Sequence, residues 1–304
     1  MNIVKYKYIY FLISGIVIIP GVIALSLWGL KAGIDFTGGV LLQLELTKAQ
    51  SLQMNEIRKT LEPLKLEDLT LQSAGGNNLI IKTRPIDQQK VDEIKNVLTK
   101  KFGEIKQSRY ENIGPTIGRE LTKKAFWAVL LASVAIVLYI AYAFRKVPAP
   151  ASSWRFGICA VLALLHDILV VTGIFSILGH LGKVEIDSYF ITALLTIMGF
   201  SVHDTIVVFD RIRENLRRFM KMPFEQVINE SILQTLGRSI NTSMTVLLVL
   251  AALYLLGGAS IKNFALALLI GIITGTYSSI FTASPLLIVW QNLIEKRKKK
   301  TEKE

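Results

Sequence analysis

Apolar residues in this chain are grouped into six long runs, and a long stretch of mixed polarity separates the first run from the other five. The runs cover residues 8–30, 126–144, 156–178, 189–209, 239–256 and 264–290. A run of roughly 20 apolar residues is long enough to cross the hydrocarbon core of a membrane as a helix. The pattern therefore predicts an α-helical polytopic membrane protein with six transmembrane helices, arranged as one span, an intervening domain and then five spans.

The intervening domain, residues 31–122, has short apolar stretches among charges of both signs. These stretches predict strands at 40–46, 69–72, 79–82 and 105–112. Helical spacing predicts helices at 51–61 and 87–102. Ser51 is a candidate cap for the first helix, and Gly103 ends the second. The resulting order, β-α-β-β-α-β, is that of a small ferredoxin-like α+β domain.

Basic residues outnumber acidic ones, with 35 Lys and Arg against 23 Asp and Glu and a net charge of +12. A basic chain can indicate nucleic-acid binding, but here the basic residues lie beside the apolar runs, so we expect no nucleic acid. They form four groups: Lys5 and Lys7; Arg145, Lys146 and Arg155; Arg211 to Lys221; Lys296 to Lys300. The positive-inside rule then places both termini in the cytoplasm and residues 31–122 outside, with Lys123 and Lys124 as exceptions.

The same patterns divide the rest of the chain. Residues 1–30 hold the N-terminus and a retained first span, because their apolar run exceeds the roughly 7–15 residues of a signal-peptide core. Residues 123–291 form a five-helix transmembrane bundle, followed by a basic cytoplasmic tail at 292–304. Within the bundle, residues 223–237 have an apolar stripe at helical spacing, so we expect a helix lying on the cytoplasmic membrane surface.

One carboxylate, Asp204, lies inside the fourth apolar run. At 1.5 Å rise per residue it is roughly 9 Å inside the membrane from Asp210, where the charged residues begin. Ser201 and Thr205 share its helix face, so this face is predicted to point into the bundle. An ionisable group at this depth is costly, which indicates a proton-titrating site. The alternative is a carboxylate that is neutralised by a neighbouring helix for packing alone.

Two glycine-rich segments join the intervening domain to the membrane. The first contains Gly33, Asp35, Gly38 and Gly39, and the second contains Gly114, Pro115 and Gly118. Glycine tolerates large changes of backbone dihedral angle, so these segments are candidate hinges about which the domain moves as a rigid body. Plain linkers are the alternative.

The sequence gives no indication of an enzyme, a cofactor or a metal. Cys159 is the single cysteine, and its apolar surroundings are typical of a core residue. Outside the apolar runs we find no pairing of a nucleophile with a base and no cluster of metal-ligating residues.

Several longer motifs carry a specific family resemblance. They are GIDFTGG at 33–39, IGPTIGREL at 113–121, LLHD at 164–167, GFSVHDTIVVFDRIREN at 199–215, RSINTS at 238–243 and YSSIFTASP at 277–285. In these motifs the chain resembles the SecF family, whose members pair with SecD in bacterial protein export and belong to the RND superfamily of proton-driven membrane proteins. The resemblance covers nearly the whole chain.

The resemblance implies a multi-pass protein of the bacterial cytoplasmic membrane that acts with SecD. It implies that the pair uses the proton-motive force to draw unfolded preproteins through the SecYEG channel, with YajC and YidC as further candidate partners. It also implies that Asp204 belongs to the proton path and that Arg238 and Thr242 complete that site. We expect Asp204 and Arg238 to pair, because they lie at similar depths in consecutive spans, until protonation of Asp204 frees the arginine. The alternative for Arg238 is an interfacial anchor whose side chain extends to the lipid headgroups.

Two histidines leave alternatives open. His203 stands where the SecF family usually has Asn, and it is either a hydrogen-bonded structural residue or a second titrating group. The neighbours His166 and Asp167 carry the same ambiguity, with Asp167 a weaker candidate for the proton path than Asp204.

Two other functions remain in view. An RND-type proton-coupled exporter of small solutes or lipids is the first, although residues 31–122 are too few to build a substrate-funnelling domain. A structural scaffold for the translocon is the second. Asp204 distinguishes the scaffold from the proton-driven functions, because a scaffold needs no buried carboxylate.

Overall fold

The computed structural model describes residues 2–47, 53–73, 76–145, 147–148, 152–182 and 184–301. Within these residues, six helices are long and apolar enough to cross a membrane. They are α1 (Lys7–Trp28), α5 (Pro115–Ala143), α6 (Ser153–Gly182), α7 (Ser188–Arg218), α8 (Phe224–Leu256) and the pair α9 (Ala259–Ser278) and α10 (Ser284–Thr301). A π-helical turn, Ser279–Ala283, joins α9 to α10. The predicted one-plus-five arrangement is confirmed.

The small domain has the predicted ferredoxin-like order of elements. A short helix α2 (Ile34–Thr37) precedes β1 (Gly39–Leu46), and the domain continues with α3 (Met54–Leu61), β2 (Thr70–Ser73), β3 (Asn78–Thr83), α4 (Gln88–Phe102) and β4 (Ile105–Ile113). The strands lie in the order β2-β3-β1-β4, and each neighbouring pair is antiparallel. Alternate residues of β1, among them Leu42 and Leu44, pack under α3 and α4 beside Ile57 and Leu98.

Local signals account for the ends of α4. The Asp87 side chain accepts a hydrogen bond from the Lys90 amide at 2.9 Å, which satisfies one free amide of the first turn. Gly103 follows the helix with a φ of 83°, which glycine adopts without the strain that a side chain would bring. The predicted cap of α3, Ser51, lies outside the described residues.

The second candidate hinge differs from the prediction. Residues 115–120 are helical, because α5 starts at Pro115 and continues without a break through the membrane-crossing part. Proline favours the first helical position, since its missing amide is not needed there. Gly118 lets α2 approach: a Cβ at this position would lie 2.8 Å from the carbonyl oxygen of Phe36. Only Gly114 in this segment keeps an extended backbone.

The predicted surface helix at 223–237 is also different. It forms the first part of α8, which runs unbroken from Phe224 to Leu256. A glycine inside a helix costs only about 1 kcal/mol, so Gly237 does not end it. The apolar stripe packs inside the bundle, where Val227, Ile228 and Ile232 are at most 1% exposed. The expectation that this stripe lies on the membrane surface is therefore wrong.

The small domain is held against one end of the bundle, which we call the domain end. The amide of Gly33 donates to the carbonyl of Ile186, between α6 and α7, at 2.8 Å. The carboxylate of Asp35 accepts from the amide of Ser188 at 2.8 Å. Glu185 forms an ion pair with Lys82 of β3 at 2.7 Å. Gly33 and Asp35 of the first candidate hinge are therefore hydrogen-bonded to the bundle in this conformation.

Candidate functional site

Asp204 lies on the buried face of α7, as its spacing from Ser201 and Thr205 predicted. Its side chain is 5% exposed. One carboxylate oxygen, Oδ1, accepts a hydrogen bond of 2.8 Å from the hydroxyl of Ser239 on α8. The other oxygen, Oδ2, is buried and has no hydrogen-bond partner among the described residues. A buried polar atom without a partner is costly, so this oxygen is a place where a proton or a donor can bind with a gain in stability.

The rotation of α8 decides which of its polar residues meet Asp204. Ser239 and Ser243 are buried, at 1% and 4% exposure. Arg238 and Thr242 are exposed on another face of the same helix, and neither side chain forms a hydrogen bond or ion pair with Asp204. Among the described residues, the expected ion pair between Asp204 and Arg238 is not formed in this conformation. The reason is geometric: consecutive residues are separated by about 100° around a helix, so Arg238 points outwards when Ser239 points inwards.

Arg238 lies in a surface cleft beside the last turns of α7. Acidic and amide side chains line this cleft, including those of Asp210, Glu214 and Gln234. His203 is exposed as well, one residue around α7 from Asp204. The sequence-predicted site is therefore split between a buried part, Asp204, and an exposed part made of His203, Arg238 and Thr242. We call the exposed part the outer polar face.

Hydroxyl groups from three helices line the interior around α7. Ser243 of α8 is hydrogen-bonded to Thr276 of α9 at 2.5 Å, and Thr205 of α7 is hydrogen-bonded to Ser279 of the π-helical turn at 2.8 Å. The helices come this close because of glycine: a Cβ on Gly275 would lie 3.1 Å from the Cβ of Ser201. Small residues at such crossings are typical of membrane helix packing.

Asp167 occupies a second buried polar position, on α6. It is 0% exposed, and its carboxylate accepts hydrogen bonds from Ser201 of α7 and Ser278 of α9. His166 contacts the same carboxylate through Nδ1 at 3.0 Å. Asp167 therefore packs three helices together, which agrees with the packing role considered for it from the sequence.

Sequence reasoning missed the buried serines as ligands of the carboxylates. Ser239 lies in the RSINTS motif beside Arg238, and Ser278 lies in the YSSIFTASP motif. A signal was present, because both motifs place hydroxyl residues at helical spacing within apolar runs.

No candidate metal site occurs in the described part of the chain, where no three or more His, Cys, Asp or Glu side chains form a group that could hold an ion.

Comparisons with known proteins identify the class. Residues 93–293 match the family model of the protein export membrane protein SecD/SecF, C-terminal. A protein translocase subunit SecF from Thermobaculum terrenum is 48% identical over 96% of this chain and 94% of its own length. A SecF subunit from Anaerolinea thermophila is 41% identical over the same shares of the two chains.

A solved structure agrees with the sequence matches. The crystal structure of the translocon-associated membrane protein SecDF from Thermus thermophilus superposes with a TM-score of 0.84 and 32% identity over 96% of this chain. This chain spans 39% of the length of that SecDF chain. A structure of SecDF in a super-membrane-facing form gives a lower TM-score, 0.69, at the same identity, so the conformation described here is more similar to the first.

The fold and the matches define a multi-pass membrane protein of the Sec export pathway with an RND-like arrangement of spans. The chain belongs to the SecF family of protein translocase subunits.

Proposed function

We propose that this chain couples proton movement to protein export through Asp204, acting with a SecD partner. The observation that carries the proposal is the buried oxygen Oδ2 of Asp204, which has no hydrogen-bond partner among the described residues. A protonated carboxyl group is a donor as well as an acceptor, whereas an ionised one can only accept. Proton binding at Oδ2 therefore changes both the charge of the site and the donors it needs.

The change of charge provides a force on the helices around Asp204. An ionised carboxylate in the bundle favours contact with the Ser239 hydroxyl and draws other donors towards Oδ2. Protonation removes this attraction and lets α7 and α8 shift relative to each other. A membrane potential supplies about 2.3 kcal/mol per charge per 100 mV. That exceeds the ~1.4 kcal/mol that changes an equilibrium constant tenfold, so one proton can bias a two-state arrangement strongly.

The exposure of the outer polar face supports the proposal that a partner protein packs against it in the membrane. His203, Arg238 and Thr242 are exposed on membrane-crossing helices, where contact with hydrocarbon is unfavourable for polar groups. A SecD subunit packed on this face would shield them and bring its own polar groups near Asp204. In this arrangement Arg238 acts across the subunit interface rather than within the chain.

The orientation follows from charge. We propose that both termini lie in the cytoplasm and that the small domain lies outside, where it contacts unfolded preprotein leaving SecYEG; YajC and YidC remain candidate partners. Labelling of single cysteines from each side of the membrane tests this in a Cys159→Ser background. Glu62→Cys, on the exposed surface of the small domain, should react with an impermeant reagent added outside. Reaction only from the cytoplasmic side would contradict the orientation.

The proton role is tested by Asp204→Asn in an export assay with an imposed proton gradient. The matched control is Asp210→Asn, which removes an exposed carboxylate less than two turns along the same helix. We expect loss of the gradient-dependent part of export in Asp204→Asn and near-normal export in the control. Normal export by Asp204→Asn would contradict the proposal and favour the scaffold function.

A further inference from the structure

His166 and Asp167 form a second cluster of titratable groups inside the bundle, apart from Asp204. They are neighbours on α6, and the ring nitrogen Nδ1 of His166 lies 3.0 Å from Oδ1 of Asp167. The two residues are 7% and 0% exposed. The proton path proposed above uses neither of them.

The contacts of Asp167 fit its ionised form. Its second oxygen, Oδ2, accepts hydrogen bonds from the hydroxyls of Ser201 and Ser278, the latter at 2.8 Å. In the tautomer with its hydrogen on Nδ1, His166 is a third donor to the same carboxylate. A countercharge further stabilises a buried charge. Among the described residues, the one group in ion-pair distance of Asp167 is His166.

The other ring nitrogen of His166 connects this pair to the first span. Nε2 lies 3.0 Å from the hydroxyl of Ser14 on α1. The same hydroxyl lies 3.4 Å from Oγ1 of Thr282, within the π-helical turn. Short π-helical turns inside membrane or soluble helices are frequent at functional sites. The polar chain therefore runs from α7 and α9 through His166 to α1 and the π-helical turn.

We propose that the His166–Asp167 pair is a second proton-binding site and that Ser14 senses its state. With the proton absent, His166 is neutral, donates Nδ1–H to Asp167, and accepts the Ser14 hydroxyl hydrogen at Nε2. With one proton added at Nε2, the imidazolium donates from both nitrogens, so the Ser14 oxygen becomes the acceptor and its hydrogen turns to Thr282. The number of protons changes by one, and Asp167 stays ionised throughout.

The contacts of α1 give this switch a route to the small domain. Gly21 of α1 and Gly173 of α6 touch so closely that a Cβ on Gly173 would lie 2.6 Å from the Cα of Gly21. Beyond this crossing, the hydroxyl of Ser176 donates to the carbonyl of Gly29 at 2.6 Å. The chain then enters the small domain. A change in the bond between His166 and Ser14 therefore acts on the helix that leads directly into that domain.

Other titratable groups border the pair from the packed elements. Tyr277 of α9 stacks on the His166 ring at 6.2 Å between centroids, and its hydroxyl donates to the carbonyl of Tyr10 on α1 at 2.7 Å. From α7, Asp204 lies one turn beyond Ser201. Because Asp204 is the proposed main site, the part of this inference that concerns export rests on the proposed function. The protonation of His166 does not depend on the proposed function.

Nitrogen-15 NMR of the histidine rings tests the proton site directly. The chain has three histidines, so a sample with His180→Gln and His203→Gln reports on His166 alone. The full-length protein is labelled at histidine in lipid nanodiscs and titrated with pH. We expect imidazolium signals, with both ring nitrogens protonated, that convert to one neutral tautomer as pH rises. A single neutral tautomer at every pH would overturn the proposal.

Two variants separate this site from a purely structural one. Asp167→Asn should lose the imidazolium signals over the same pH range, and their persistence there would also overturn the proposal. Asp204→Asn should leave the His166 titration in place, so failure of the proposed function and failure of this inference give different results.

The role of Ser14 is tested by export in its alanine variant. Ser14→Ala should keep the His166 titration and lose gradient-driven export. The control, Ser26→Ala, removes another α1 hydroxyl that bonds to its own helix at Val22. Equal export by the two variants would overturn the sensing role of Ser14.

Discussion

The contact between Ser239 and Asp204 makes a quantitative prediction that differs from the expectation of an Asp204–Arg238 pair. The donor–acceptor distance of 2.8 Å is near the optimum for a hydroxyl donor. Ser239→Ala leaves both oxygens of a buried carboxylate without a donor, which costs about 1–3 kcal/mol. In Asp204→Leu, which has a similar shape, the Ser239 hydroxyl can bond to its own helix, so the cost is smaller.

The double variant Ser239→Ala, Asp204→Leu should therefore be more stable than the sum of the single variants predicts. We expect a coupling energy of about 1 kcal/mol or more, with ~1.7 kcal/mol as the upper end found between membrane helices. The parallel cycle of Arg238→Met with Asp204→Leu should be additive to within about 0.5 kcal/mol, because the two residues share no contact. Reversible unfolding in mixed micelles, followed by circular dichroism, measures both cycles. Additivity in the Ser239 cycle, or clear coupling in the Arg238 cycle, would refute the assignment of contacts.

Three further predictions concern packing and the domain end. Gly173→Ala should lower the thermal unfolding temperature, because overpacking against Gly21 costs about 1–3 kcal/mol and outweighs the ~1 kcal/mol gained in helix propensity; the control Gly157→Ala, with open space around its Cβ, should not lower it. Burial raises the pKa of Asp187 above its ordinary value of 3.8. Folding therefore favours the protonated form of Asp187, and the stability of the protein falls as the pH rises from 3.8 through the raised pKa. Asp187→Asn, which keeps the helix cap, should be more stable than the wild type at neutral pH, and the gap should close towards pH 3.8. Glu185→Gln breaks two lysine contacts and should speed amide hydrogen exchange at the domain end, whereas unchanged exchange would show that the ion pairs do not hold the domain.

The spans and the small domain could be predicted because their signals are local. Each apolar run is long enough to cross a membrane, and the cap Asp87 and the terminating Gly103 mark the ends of one helix directly. The antiparallel sheet follows from the order of its elements. Boundaries beside the membrane were less predictable, because Pro115 suits the first turn of a helix as well as a turn. Tertiary packing of α2 on Gly118 favours the helix.

The site could be predicted only in part, because it depends on how α8 is rotated. Asp204 was identifiable as an ionisable residue among apolar ones. Arg238 and Ser239 are adjacent, and the sequence gives no reason to prefer either as its neighbour, since α8 is apolar on most sides beyond Ser243. Packing against α7 and α9 decides the rotation and brings Ser239 inwards. In the proposed function, Arg238 contacts the SecD partner, and such an interface lies outside the information in one chain.

The most direct test of the central claim is proton flux through the SecD complex of this chain in proteoliposomes with an imposed gradient and a translocating preprotein. A pH-sensitive dye inside the vesicles reports the flux, and protease protection reports export in the same sample. Wild type should show proton entry that rises with export, and Asp210→Asn should behave like wild type. Asp204→Asn should lose both the proton entry and the gradient-dependent export. Undiminished proton entry in Asp204→Asn would contradict the account, because the proton would then cross without this carboxylate.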